Sequence, residues 1–167
     1  MDPCTMWTRS SANVGWSIPE ADLPAVLARC RADPSALEAL REVYASADRA
    51  VARARLVCLG GGVCCRFDLF GHRLYVSTLE LAELTSRRPP APRPAGPDRC
   101  LYQVGPDCTA RARRPLGCRI FFCREEKKAV LARLHERLHR RLRGIHSRHC
   151  IPYAYAEVGA GVSQSFM

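Results

Sequence analysis

Seven cysteines fall between Cys58 and Cys123, and no other feature of this chain limits its possible folds so tightly. Their spacing is Cys58-x5-Cys64-Cys65 and then, after a long gap, Cys100-x7-Cys108-x9-Cys118-x4-Cys123. In an oxidising compartment such a set reads as a disulfide framework, whereas in a reducing one the thiols stay free and read as metal ligands. The N-terminal run Met-Asp-Pro-Cys-Thr-Met-Trp-Thr-Arg has neither the basic region nor the apolar stretch of a signal peptide, and no segment approaches membrane-spanning length. The expectation is a cytoplasmic protein without membrane association, whose clustered cysteines hold a metal. Soft sulfur in tetrahedral surroundings suits zinc and iron, iron–sulfur clusters included. Neighbouring cysteines seldom bridge to each other, so the side chains of Cys64 and Cys65 are expected to diverge, giving two ligands to two metals or one ligand plus support.

The rest of the chain is read around that cluster. A length of 167 residues suits one compact domain. Residues 1–56 are expected to form an N-terminal helical segment packed on the core. There Asp33-Pro34 supplies N-cap and first helical position to a stripe of Leu37, Leu40, Val43, Tyr44, Ala47 and Val51. Residues 57–157 are the expected cysteine-cluster metal-binding domain, and 158–167 a C-terminal tail. Inside the domain, Gly60-Gly61-Gly62 gives a loop able to follow tight paths. The runs Phe67 to Phe70 and Arg73 to Val76 predict a β-hairpin about Gly71-His72. Ser77 and Glu80 have capping-box spacing ahead of a helix ending before Ser86. Residues 87–98 are proline-rich and read as a semi-rigid exposed linker. A turn is expected at Gly105-Pro106-Asp107 and a last helix over roughly 124–143. The fold class is α-rich with small β elements (α+β): two cysteine-rich loops converge on a metal centre flanked by helices.

On these residues the chain resembles the YkgJ-type cysteine-cluster family, described as zinc- or iron-chelating domains. The family pattern runs Cys-x2-Cys-x2-Cys-Cys, a helix, two further cysteines, an Arg-Pro-x-x-Cys-Arg-x-Phe element and a last cysteine. The chain matches at Cys58, Cys64, Cys65, Cys100, Cys108, the run Arg114-Pro115-Leu116-Gly117-Cys118-Arg119-Ile120-Phe121, and Cys123. The likeness covers roughly residues 56 to 157, Ile151-Pro152-Tyr153-Ala154-Tyr155 included. It implies metal chelation by Cys58, Cys64, Cys65, Cys100, Cys108, Cys118 and Cys123, but no particular reaction. One cysteine of the pattern falls at Gly61 here. Cys150, His72 or solvent would have to replace it, and a solvent-filled position would leave the metal open to chemistry.

Other features are weighed against blander readings. His135-Glu136-Arg137-Leu138-His139 is a literal H-E-x-x-H, the zinc-protease spacing. Leu131, Leu134, Leu138 and Leu142 make the same helix an apolar packing element, however, and no third ligand is announced. Both histidines are therefore expected to flank a packing face. The net charge of +10 favours polyanions. Arg111, Arg113, Arg114 and Arg119 read either as a nucleic-acid patch or as charges offsetting thiolates. Cys4, Cys30 and Cys150 are taken as ordinary cysteines. The sequence reading is a metal-binding protein with iron, or an iron–sulfur cluster, placed ahead of zinc. The alternatives are a metalloenzyme of unassigned reaction and a basic nucleic-acid-binding protein with a structural metal.

Overall fold

The structure is a computed structural model that describes residues 18–58, 61–71, 73–90, 99–122, 127–159 and 162. Helix α1 (Leu23–Arg31) buries Leu23, Val26, Leu27 and Cys30, the i, i+3, i+4, i+7 spacing of one helical face. Helix α2 (Pro34–Arg53) begins as the sequence predicts. The Asp33 carboxylate accepts the Ala36 N–H at 2.9 Å, and Pro34 sits where its missing N–H costs nothing. Its buried face is Ala36, Leu40, Val43, Tyr44 and Ala47, with Leu37 and Val51 at the edge.

Residues 67–76 differ from the expected hairpin. Phe67–Phe70 is a single helical turn, α3, and Gly71 ends it at φ 61°, with its N–H bonded to the Phe67 carbonyl at 3.1 Å. Glycine acts here as the left-handed stop of a helix, not as a hairpin corner. The strand that follows, β1 (Tyr75–Ser77), pairs antiparallel with β4 (Tyr155–Glu157) at the far end of the chain, Val76 facing Ala156.

Helix α4 (Thr78–Leu84) carries the predicted capping box at Ser77 and Glu80. Its other end is closed by a side chain from α1: Arg31 donates to the Ala82 carbonyl at 3.1 Å and to the Thr85 hydroxyl at 2.7 Å. Strands β2 (Gln103–Val104) and β3 (Asp107–Cys108) form a minimal hairpin across Gly105-Pro106, where Gly105 takes φ 56°. Helix α5 (Leu116–Ile120) is short, and α6 (Lys128–Arg148) runs five residues beyond the expected end. Helix α6 buries Leu131, Leu134, Leu138, Leu142, Ile145 and His146 against α2 and α5. Each fully buried leucine contributes about 1.5–3 kcal/mol of transfer free energy. One continuous apolar cluster joins α1, α2, α4, α5, α6, β1 and the residues flanking β4, so the helices and small antiparallel sheets make an α+β fold. Among the described residues no helix is long and apolar enough to cross a membrane.

Candidate metal centre

Five of the seven predicted ligands, Cys64, Cys65, Cys100, Cys108 and Cys118, line one small cavity of about 20 Å³. Cys58 is solvent-exposed and outside it, and Cys123 and His72 lie outside the described residues. Cys150 is disulfide-bonded, and Cys30 is a buried helix residue whose thiol burial pushes up to about 11.

The first two sulfurs arrive on a 3-10 turn, Val63–Cys65, entered through Gly62 at φ 67°. A Cβ on Gly62 would come within 2.5 Å of the Gln103 side-chain nitrogen and 3.1 Å of the Pro106 carbonyl, so only glycine fits. Gln103 Nε2 donates to the Gly62 and Gly105 carbonyls at 3.3 and 3.1 Å, tying this loop to the β2–β3 hairpin. Contrary to the divergence expected of neighbours, Cys64 and Cys65 both face the cavity, with Sγ atoms 3.9 Å apart. The tight turn brings together what an extended strand would send to opposite sides.

The second loop is pinned directly to the first. The Cys100 N–H donates to the Cys65 carbonyl at 3.1 Å beside an isolated Arg66–Arg99 bridge, and Asp68 receives ion pairs from both arginines. The hairpin then places Cys108 opposite Gln103. Cys118 comes from α5, whose start is fixed by Glu80: one carboxylate oxygen accepts the Leu116 N–H at 2.8 Å, the other the Ser77 N–H and hydroxyl at 2.9 Å each. The capping-box signal identified Glu80 as an N-cap partner. Its second helix was invisible, since nothing local links residue 80 to residue 116.

Arg119, one of the four arginines expected to form a nucleic-acid patch or to offset thiolates, is turned inward. Its side chain is 7% exposed, and its guanidinium donates to the Arg114 carbonyl at 2.7 Å, the Ala112 carbonyl at 2.6 Å and Asp48 at 2.6 Å. The group also stacks over the Tyr44 ring at 4.2 Å. This clamp shapes the loop that brings Arg114 to the cavity wall and Cys118 to its floor. Of the four arginines read as a patch, Arg114 fits the offsetting role, lying beside the thiols, and Arg119 is internal.

The sulfurs share one electrostatic system. Cys65 keeps its proton far above the usual thiol range because its neighbours Cys100, Cys108 and Cys64 act as acceptors for its S–H. In return Cys64 is lowered to about 7 and Cys108 to about 6, first through the Cys65 thiol, with Arg114 helping both and Arg111 helping Cys108. Cys100 is lowered by the same interaction, and Cys118 is raised by desolvation. The Cys64, Cys100 and Cys108 thiols are thus each shifted towards the thiolate form. The Cys64 and Cys65 sulfurs are in hydrogen-bonding contact, and Cys100 and Cys108 act on the Cys65 thiol as well. Among the described residues no three His, Cys, Asp or Glu side chains already surround one point as ligands. Still, the donor set fits a thiophilic ion. A tetrahedral site with metal–sulfur bonds of about 2.3 Å has sulfur–sulfur edges of about 3.8 Å, close to the observed 3.9 Å. A cavity of about 20 Å³ is large enough to admit one small ion.

The H-E-x-x-H pair lies elsewhere. His135 and His139 stack with centroids 5.4 Å apart, and Tyr153 shares a 2.7 Å hydrogen bond with His139 Nε2. Burial lowers both imidazoles. This is the packing-face role expected, against tyrosines rather than aliphatic chains. Comparison with protein-family models, with curated proteins and with solved structures finds no match to this chain.

Proposed function

We propose that this chain is a metal-binding protein whose centre is the sulfur cluster of Cys64, Cys65, Cys100 and Cys108, with Cys118 beneath it. The observation that carries the reading is the convergence of five thiols from four separate segments on a cavity the size of one ion. Three of those sulfurs have their thiolate form favoured, which is the ligand form. The cysteine pattern resembling the YkgJ-type family supports the same reading from the sequence alone. The cavity is large enough to admit a single zinc or iron ion. Such an ion, closed by four thiolates, supplies cross-linking rather than an open coordination position. It would join the Val63–Cys65 turn to the β2–β3 hairpin, the two halves already linked by the Cys65–Cys100 backbone bond.

The test is anaerobic purification followed by metal analysis and an absorption spectrum. One equivalent of zinc or iron, without acid-labile sulfide, is expected. Iron with stoichiometric sulfide would replace the single ion with a cluster, and stable protein devoid of metal would refute the reading.

A further inference from the structure

Helix α6 carries a second feature that the sulfur centre does not use. At 3.6 residues per turn, Arg133, Arg137, Arg140, Arg141 and Arg148 fall within one sector of about 100°. All five are exposed, while the adjoining arc of the helix buries Leu131, Leu134, Leu138, Leu142 and Ile145. With a rise of 1.5 Å per residue the stripe is about 22 Å long. None of the five arginines forms an ion pair among the described residues, although seven such pairs occur elsewhere, so no carboxylate there neutralises the stripe. Glu136 is the one acid of α6 and falls outside the sector.

In the middle of the stripe stands Gly144, a residue that weakens a helix interior. Its missing side chain opens the floor of a groove of about 310 Å³ between α2 and α6, walled by Arg140, Arg141 and Arg148 and carrying Glu42 as its only acid. Arg141 is braced there by a 3.2 Å bond to the Ser46 hydroxyl.

We propose that this face binds the phosphate backbone of a nucleic-acid duplex without reading its sequence. A duplex presents a phosphate about every 3.4 Å along each strand, so a 22 Å stripe meets enough of them to engage all five guanidiniums. No aromatic side chain lies in the sector, so the stacking platform that single strands need is missing from this face. An anionic membrane is a poorer fit, because an interfacial helix inserts its apolar face and that of α6 is already buried in the core.

The test is a fluorescence-anisotropy titration of the full chain with a labelled 20-bp DNA duplex between 50 and 200 mM NaCl. Five phosphate contacts give a log–log slope of about −4.5, equivalent to a loss of roughly 500-fold in affinity over that range. The variant Arg137→Ala/Arg140→Ala should fall to a slope of about −2.7, a loss of roughly 40-fold. The equal-charge control Arg29→Ala/Arg87→Ala, both exposed, one on α1 and one in the bend after α4, should keep the original slope. All three proteins should share one far-UV spectrum. A slope near zero, an equal change in the control, or tighter binding to phosphatidylserine vesicles or single-stranded oligonucleotide than to the duplex would each overturn the proposal.

Discussion

The Arg119 clamp gives the sharpest prediction about how the site is held. Replacing Arg119 with lysine keeps the charge but loses the planar fork that reaches two carbonyls and a carboxylate together. A point-like ammonium keeps one partner at most. The carbonyls of Ala112 and Arg114 then lose charge-assisted bonds of about 1.5–3 kcal/mol each, partly recovered by water. Loss of the stacking on Tyr44 adds about 0.5–2 kcal/mol. The expected destabilisation is about 3–5 kcal/mol, a large share of the 5–15 kcal/mol typical of a domain. Asp48→Ala provides the contrast. Its side chain is 53% exposed, so water can replace the carboxylate, and the loss should stay below about 1 kcal/mol. Urea denaturation followed by circular dichroism, at one fixed metal concentration, measures both. With a slope of about 2 kcal/mol/M, Arg119→Lys should move the midpoint by about 2 M and Asp48→Ala by less than about 0.5 M. Equal losses for the two variants, or a loss under about 1 kcal/mol for Arg119→Lys, would show that the carbonyl clamp does not hold this loop.

Three further outcomes are expected. Cys65→Ser and Cys108→Ser should abolish metal retention in metal analysis, whereas Cys58→Ser, exposed and outside the cavity, should retain it. Gly62→Ala meets both a positive φ and close neighbours, while Gly71→Ala meets the φ alone, with open space around its Cβ. Calorimetry should give about 1–2 kcal/mol for Gly71→Ala and at least twice that for Gly62→Ala. His146 is buried and neither ring nitrogen has a partner of hydrogen-bonding geometry; desolvation lowers it to about 4, partly offset by the Ile151 and Pro152 backbone. Its folded pKa lies below the unfolded value of about 6.5, so the unfolded chain binds the proton first and stability falls as pH drops from about 6.5 to 4. The loss reaches about 3 kcal/mol. His146→Phe should flatten that part of the stability–pH curve, and an unchanged curve would show that another group carries it.

What could be read in advance follows from the range of the signals. The start of α2 at Asp33-Pro34 and of α4 at Ser77 were legible because a cap is satisfied within four residues. The turn at Gly105-Pro106 was legible for the same reason. The hairpin expected at Phe67 to Val76 failed because the partner of β1 lies about eighty residues away, and no local pattern announces a pairing of that range. The cysteine spacing did mark which sulfurs meet: five share a cavity. It could not show that Cys58 stands apart, since that depends on where α2 ends relative to the Gly62 turn. The inward role of Arg119 could not be read because a sequence reports a residue's type and not which carbonyls surround it.

The β1–β4 pair also governs when the centre can be completed during synthesis. Val158, whose N–H bonds the Leu74 carbonyl at 2.8 Å, forms part of the cavity wall, yet it is made 93 residues after Cys65. At translation rates of about 5–20 residues per second, the first cysteines wait roughly 5–20 s before their enclosure exists. During that interval they are open thiols, accessible to any oxidant or stray ion. Enclosure of the sulfurs is thereby a late event, and a chain cut short before residue 158 would present the same sulfurs without the wall that shields them.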